Sequence, residues 1–284
     1  MATFKAACIQ LRSGKSIEQN ASVAEQLIRQ AAEAGAIYIQ TPEMSNVLVR
    51  SRDELMERIG SGVEDPFLKM AQTVASELNV SLHLGSLAVL KDSGKVANRA
   101  FFIGTDGAIQ ASYDKIHMFD VDLPNGESWR ESATYDPGQE TILTDAPFGR
   151  VGMAVCYDVR FPAVFREQAR RGAEILTAPA AFTRQTGEAH WHVLQRARAI
   201  ENGAYMISAA QGGVHEDGRE TYGHSLMVDP WGEVIAELNH DEPDFIVAAV
   251  ETENVAKARV RIPAIANERA FASRIAHGLK EIPA

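Results

Sequence analysis

Long apolar runs and basic clusters are both scarce in this sequence of 284 residues. No apolar run approaches the roughly 20 residues that a membrane-spanning helix needs. The formal net charge is −10, and a charge of this sign repels phosphate backbones and anionic lipid surfaces. These absences argue against a membrane protein and against a protein that binds nucleic acid.

Cysteine occurs only twice, at Cys8 and Cys156. Two cysteines do not make the disulfide framework of a small secreted domain, and the first residues lack the apolar segment and cleavage site of a secretory signal. We therefore expect a cytoplasmic location. The eight histidines are scattered without the helical spacing of a metal site, so we expect neither a metal nor an organic cofactor.

Several common enzyme motifs are missing as well. The chain has no GxxxxGK[ST] or GxGxxG loop for a nucleotide, and no GxSxG turn for a serine nucleophile. Apolar residues make up 45% of the chain and charged residues 23%. This balance is typical of a globular enzyme, and the length suffices to bury a large core.

Short apolar strands alternate with amphipathic helices along the chain. A strand at 4–11 is followed by a helix at 17–34 and a second strand at 36–40. Hairpin patterns also occur, and one of them turns at Asp106-Gly107. Strands joined by helices carry those helices on the outer faces of their sheets, and hairpins make a sheet mixed rather than parallel. We therefore predict an α/β fold with two mixed β-sheets.

Three reactive residues each follow an apolar strand: Glu43, Lys115 and Cys156. Ligands in such sheets bind beyond the carboxyl ends of strands. A thiol reacts as the thiolate, which a cation stabilises and a base helps to form. Taken singly, each residue is more often a buried thiol or a surface charge. Together they predict a nucleophilic site.

The segments that carry these residues resemble the nitrilase superfamily of carbon–nitrogen hydrolases. TPEM contains Glu43, YDKIHMFDVDLP contains Lys115, and GMAVCYDVRFP contains Cys156. The similarity extends from KAACIQL to VDPWGEV and is greatest with the branch of deaminated glutathione amidases, next to the omega-amidases. It implies a Glu–Lys–Cys catalytic triad in a four-layer α-β-β-α sandwich.

No low-complexity linker divides the chain, so we expect a single carbon–nitrogen hydrolase domain at 1–262. The sequence after about Arg261 is mixed in character, and we expect a C-terminal tail at 263–284 that packs on a partner subunit. Members of the superfamily form dimers across their outer helices, so we expect a homodimer or a larger homo-oligomer.

Further site residues follow from the same resemblance. Glu131 matches a second glutamate that supports the triad, with Glu127 as a competitor, and the backbone N–H of Tyr157 matches an oxyanion donor. Four residues are candidates for binding the substrate: Arg160, Phe182, Thr183 and Arg184. For Arg160, an ion pair with Asp158 or Glu167 is the favoured alternative.

The predicted function is hydrolysis of a carboxamide, with release of ammonia, through a thioester on Cys156. Deaminated glutathione or a related omega-amide is the expected small-molecule substrate. An N-carbamoyl amino acid amidohydrolase or a nitrilase is the alternative within the superfamily. A non-catalytic binding protein with the same fold is a third interpretation, against which the presence of Glu43, Lys115 and Cys156 argues.

Overall fold

The computed structural model of the protein describes residues 2–62, 64–124 and 126–274. The strands are β1 (Thr3–Gln10), β2 (Tyr38–Gln40), β3 (Ser81–Leu90), β4 (Val96–Ile103), β5 (Ile109–Asp114), β6 (Asp120–Asp122), β7 (Ser128–Arg130), β8 (Ile142–Ala146), β9 (Gly149–Met153), β10 (Ile175–Thr177), β11 (Tyr205–Ser208), β12 (Gly212–Val214), β13 (Glu220–Tyr222), β14 (Leu226–Val228), β15 (Val234–Glu237) and β16 (Asp244–Glu251). The helices are α1 (Ile17–Glu33), α2 (Arg52–Met56), α3 (Pro66–Leu78), α4 (Pro162–Arg170), α5 (Arg184–Asn202) and α6 (Glu253–Arg261).

Two six-stranded sheets form the centre of the molecule. The first has the order β16-β1-β2-β3-β4-β5, and the second has the order β15-β14-β11-β10-β9-β8. Each sheet contains parallel and antiparallel pairs: β2 is parallel to β1 and β3, whereas β16 is antiparallel to β1. In the second sheet β10 is parallel to β9 and β11, and β14 is antiparallel to β11. The prediction of two mixed sheets is confirmed.

Strand alternation produces four layers. Along β1, Phe4, Ala6 and Cys8 belong to the core cluster that contains the buried residues of the second sheet. Ala7 and Ile9 belong to the other cluster, with the apolar faces of α1 and α3. Successive side chains of a strand point to opposite faces, so one face of the first sheet packs on the second sheet and the other on helices. The helices α4 and α5 cover the second sheet, which gives the predicted α-β-β-α sandwich.

The ends of the elements follow local chemistry. The side chain of Ser16 accepts a hydrogen bond from the backbone of Gln19 and fixes the start of α1 at Ile17. Asp65 caps α3 in the same way. One boundary differs from the sequence prediction, because the strand expected to end at Cys156 already ends at Met153.

The predicted tail begins just after α6. Within its described part, the Glu268 carboxylate pairs with Arg170 of α4 at 2.7 Å, so this residue contacts its own subunit. Residues 275–284 of the predicted tail lie outside the described residues, and its packing on a partner stays a prediction. Across the described ranges, no helix is long and apolar enough to cross a bilayer.

His83 on β3 predicts a pH dependence of folding. Its side chain is fully buried, its Nδ1 lies 2.9 Å from the Tyr38 hydroxyl, and burial lowers its pKa to about 3. Below pH 6.5 the unfolded chain binds a proton that the folded chain does not, so stability falls as pH decreases. We expect unfolding in urea at pH 7 and pH 5 to show a loss about 2 kcal/mol larger for the wild type than for His83→Gln. Equal losses would contradict this assignment.

Candidate active site

Glu43 lies in the loop after β2 and is buried. Its Oε1 accepts hydrogen bonds from Lys115 Nζ at 3.0 Å and Asn98 Nδ2 at 2.9 Å. Its Oε2 accepts one from the backbone N–H of Ala181 at 2.9 Å. Burial by itself raises the pKa of this carboxyl group, but the Lys115 charge and these donors outweigh burial and lower the pKa below its ordinary value. Glu43 is therefore held as a carboxylate.

Lys115 follows β5 directly and lies between two carboxylates. Its Nζ donates to Glu43, and it also lies 2.9 Å from Oε1 and 2.8 Å from Oε2 of Glu131. The residue is 2% exposed. Burial alone lowers the pKa of a lysine, but Glu131 and Glu43 outweigh it and raise the pKa of Lys115 well above its ordinary value. The ammonium therefore stays charged inside the protein.

Cys156 begins a short 3-10 helix, Cys156–Arg160, three residues beyond the end of β9. Its φ is +49°, in the left-handed region that non-glycine residues seldom occupy. Strained backbone of this kind is concentrated at functional sites. Glu43 lies close enough to act on the thiol, and burial followed by the Glu43 charge raises the pKa of the thiol well above its ordinary value. Cys156 is thus held as a thiol beside a carboxylate.

The backbone around Cys156 leaves one donor free. The N–H of Cys156 itself donates to the carbonyl of Pro179 at 2.9 Å. For the next N–H, that of Tyr157, the described residues supply no acceptor. This N–H is the oxyanion donor that the family resemblance implies, and its availability supports that role.

Asp158 joins the cysteine turn, which is the 3-10 helix Cys156–Arg160, to the lysine loop, which is residues 115–119 between β5 and β6. Its Oδ1 accepts from the backbone N–H of His117 at 3.0 Å and lies 2.7 Å from the His117 ring Nδ1. Its Oδ2 accepts from the Tyr113 hydroxyl at 2.7 Å and from the N–H of Val155 at 2.9 Å. Tyr113 and His117 stand on either side of Lys115 in the chain, so one fully buried carboxylate holds both segments together.

These groups lie in a cavity of about 610 Å³. Its lining includes Glu43, Lys115, Glu131 and Cys156, together with the predicted substrate-binding residues Arg160, Phe182 and Thr183. The structure therefore brings most of the predicted site residues together, while their catalytic roles stay predictions.

Arg160 and Arg184 differ in their surroundings. Arg160 lies over the rings of Tyr157 and Phe182, and its Nη1 is 3.2 Å from His190 Nδ1. Neither of the ion pairs weighed for Arg160 is formed, because Asp158 binds His117 and Glu167 pairs with Arg171.

Arg184 starts α5 and is absent from the lining of the cavity. Its guanidinium pairs with Glu220 and Asp241, each at 2.5 Å. The structure does not bring Arg184 to the cavity.

Asn98 and the bridging role of Asp158 were not predicted from the sequence. Asn98 Nδ2 donates to Glu43 and also to Glu131 Oε1, at 3.1 Å. The available signal was a lone amide among the apolar residues of β4, because a buried polar side chain needs partners. Asp158 was considered only as an ion-pair partner for Arg160. Across the described ranges, no group of three or more His, Cys, Asp or Glu side chains could hold a metal ion.

Comparison with known proteins identifies the family. The family model for carbon–nitrogen hydrolases matches residues 5–260. The chain is 36% identical over 269 residues to a deaminated glutathione amidase of Synechocystis, covering 93% of this chain and 98% of the relative. It is 35% identical over 272 residues to omega-amidase NIT2 of Homo sapiens, covering 95% and 96%.

The structural comparison agrees with the sequence comparison. The crystal structure of the C. elegans NitFhit protein superposes with a TM-score of 0.89 at 34% identity, covering 95% of this chain and 66% of that chain. The family match spans most of the chain, and both curated relatives exceed 30% identity over nearly their full length. This chain belongs to the carbon–nitrogen hydrolase family and is a hydrolase of the nitrilase superfamily.

Proposed function

We propose that the protein hydrolyses a carboxamide through a thioester on Cys156, with Glu43 as the general base and Lys115 as an oxyanion donor. The observation that best supports this proposal is the convergence of a thiol, a carboxylate and an ammonium in one buried cluster. Burying charges is costly, and pKa values displaced in a cavity are typical of functional sites.

In the first step Glu43 takes the thiol proton as the sulfur bonds to the amide carbon. The carbonyl electron pair moves to the oxygen, where the Lys115 ammonium and the Tyr157 N–H stabilise the negative charge. Removing one such donor typically costs roughly 10²- to 10³-fold in rate. The C–N bond then breaks, and the leaving nitrogen receives the proton from Glu43.

In the second step water attacks the thioester. Glu43 removes a proton from the water as the new C–O bond forms, and the C–S bond breaks to release the carboxylic acid. The sulfur regains a proton from Glu43. Glu131, which binds the Lys115 ammonium through both oxygens, holds this lysine charged and in position throughout the cycle.

The charge of the cavity supports an anionic substrate. The lining contains five cationic side chains, Lys115, Arg50, Arg130, Arg160 and Arg219, and three acidic ones, Glu43, Glu127 and Glu131, in a chain of net charge −10. Arg160 has no carboxylate partner within the described residues. We propose that it binds the carboxylate of the acyl part, as a deaminated glutathione or an omega-amide would present.

These two substrates differ in their leaving groups. An omega-amide is a primary amide and releases ammonia. The scissile bond of deaminated glutathione is a secondary amide, so its hydrolysis releases a peptide amine in place of the ammonia assumed in the sequence analysis. Both fit the same attack on a carbonyl carbon.

A substrate panel tests the proposal. Alpha-ketoglutaramate, deaminated glutathione, carbamoyl-beta-alanine and a simple nitrile are each incubated with the wild type and with Cys156→Ala, while ammonia, free amine and carbon dioxide are measured. Acid quenching and mass spectrometry of the Cys156 peptide detect the acyl thioester. We expect turnover and an acyl adduct with the first two compounds.

Other outcomes identify the alternatives. Release of carbon dioxide with ammonia from carbamoyl-beta-alanine alone selects the carbamoyl amidohydrolase, and turnover of the nitrile alone selects the nitrilase. A wild type that turns over none of the four compounds, and whose Cys156 is alkylated without effect on ligand binding, would be a binding protein.

We further propose a homo-oligomer built on a single domain at 1–262. Apolar side chains are exposed on the outer helices and the β14–β15 turn: Val193, Ile200, Trp231, Val260 and Ile262. Exposed apolar surface of this kind supports subunit contacts. The free state of both cysteines supports the proposed cytoplasmic location.

A further inference from the structure

One wall of the cavity is a row of three aromatic rings. The centroids of Trp129 and Phe119 are 6.5 Å apart, and those of Phe119 and Tyr157 are 5.1 Å apart. All three residues line the cavity. The row begins in the β6–β7 ribbon and ends at the residue after Cys156, so it runs alongside the thiol.

A guanidinium group lies at each end of this row. At one end Arg160 stands 5.8 Å from the Tyr157 ring centroid. At the other end two guanidinium groups lie against one indole, with Arg219 at 4.7 Å and Arg50 at 5.1 Å from the Trp129 ring centroid. Stacking on a ring orients a guanidinium and leaves its edge free to donate hydrogen bonds.

At the Trp129 end of the row, two buried N–H donors lack an acceptor among the described residues. Arg219 Nε and Trp129 Nε1 are buried N–H groups for which the described residues supply no acceptor. The Arg219 side chain, 15% exposed, donates to the carbonyl of Val49 at 3.3 Å and lies 3.3 Å from Asp217. A guanidinium has five N–H donors, and unpaired buried donors are rare in folded proteins. A bound ligand with an acceptor group would satisfy these two N–H donors.

The two ends of the row lie near residues that act on different parts of the substrate in the proposed mechanism. Arg160 lies in the segment of Cys156, which bonds to the acyl carbon. Arg50 shares its loop with Glu43, and Arg219 binds that loop through Val49. Because Glu43 protonates the leaving nitrogen in the proposed mechanism, the leaving amine faces the Trp129 end.

We propose that Arg219, assisted by Arg50, which contacts the same indole and lies 3.6 Å from Glu127, binds a carboxylate carried by the leaving amine of the substrate. The inference rests on the proposed function and narrows it. The preferred substrate is a secondary amide with an anionic group on each side of the scissile bond, such as an acylated short peptide with a free C-terminus. A primary amide fills only the Arg160 half of the cavity.

Matched synthetic amides test this assignment. N-glutaryl-alanylglycine carries both carboxylates, its C-terminal amide lacks the one on the leaving side, and glutaramate lacks the leaving peptide. In the wild type we expect kcat/KM for the acid to exceed that for the C-terminal amide by about 10- to 100-fold, as for a charged hydrogen-bonded pair.

Arginine variants identify which side chain produces this preference for the acid over the C-terminal amide. We expect Arg219→Gln to bring the ratio of kcat/KM for the acid to that for the C-terminal amide close to one, and Arg219→Lys to retain part of the preference. Arg50→Gln lowers the ratio while the pairing between Arg219 and Asp217 stays in place. Arg160→Gln lowers kcat/KM for acid and amide by the same factor. The matched control is Arg171→Gln, a surface arginine paired with Glu167 on α4, which keeps the wild-type ratio.

Three results would overturn the inference. They are a wild-type ratio near one, an equal loss for acid and amide in both Arg219→Gln and Arg50→Gln, or a ratio abolished by Arg160→Gln. In each case turnover of glutaramate by the wild type keeps the amidase proposal intact. Absence of turnover of all three probes would refute the amidase proposal itself.

Discussion

Glutamine in place of Glu43 lowers kcat/KM by about 10³- to 10⁴-fold and at the same time makes Cys156 easier to alkylate. Turnover falls because, in the proposed mechanism, the same carboxylate takes the thiol proton and delivers it to the leaving nitrogen. Alkylation rises because, after burial, the Glu43 charge is the largest cause that raises the pKa of the Cys156 thiol. Without that charge the thiol pKa falls, and more thiolate is present at neutral pH.

Iodoacetamide kinetics from pH 6 to pH 10 measure this opposite response. For Glu43→Gln we expect the inflection of the alkylation rate to shift to lower pH. Glu131→Gln is the matched control, because Glu131 binds the other side of Lys115, whereas the Glu43 charge acts on the thiol itself. It lowers turnover and does not reproduce the shift of the alkylation profile to lower pH. An alkylation profile for Glu43→Gln that stays at the wild-type pH would contradict the contact between Glu43 and the thiol.

Asparagine in place of Asp158 lowers kcat by about 10²-fold and leaves KM within about 3-fold. Asp158 accepts from four donors on both sides of Lys115 and next to Cys156. The asparagine amide has one acceptor oxygen where the carboxylate has two. Its NH₂ group is itself a donor and would face the donors that the second carboxylate oxygen binds in the wild type. The lysine loop and the cysteine turn then separate, and misplacement by about 1 Å is enough for a loss of this size.

Two readouts distinguish a loss of positioning from a loss of folding. Rates are normalised to the fraction of Cys156 that one equivalent of iodoacetamide titrates. The alkylation profile is expected to shift to higher pH, because the Lys115 charge, which lowers the thiol pKa, moves away. Tyr113→Phe, which removes one of the four donors, is the control with a smaller effect. A wild-type kcat per titrated site in Asp158→Asn would show that Asp158 only stabilises the fold.

The layered architecture was predictable because it depends on local periodicity. Alternation along β1 and the helical spacing of α1 and α3 are visible in the sequence, and the Asp106-Gly107 turn joins β4 to β5 as its type indicates. The position of Cys156 relative to its strand was not predictable in the same way. The apolar run continues to Val155, but Asp158 captures the N–H of Val155 and the strand ends at Met153.

The substrate-binding candidates show the same limit. Arg160 and Arg184 both follow strand ends and carry the same charge, so the sequence offers no means of separating them. In the fold, Arg160 faces the cavity and lies over two rings, whereas Arg184 is paired with Glu220 of β13 and with Asp241 in the loop before β16. Contacts between residues far apart in the chain decide which of the two guanidinium groups pairs with carboxylates and which does not within the described residues.

The sequence by itself determined the two mixed sheets, the covering helices and the identity of the three reactive residues. This was possible because hydrophobic periodicity and side-chain chemistry can be read from short stretches of sequence. Only the tertiary structure decided that Asn98 donates to both Glu43 and Glu131, that Asp158 ties the cysteine turn to the lysine loop, and that an aromatic row carries an arginine at each end. The pKa values of Glu43, Lys115 and Cys156 also belong to the tertiary level. Burial and the distances between charges set them, and both arise only when segments far apart in the chain come together.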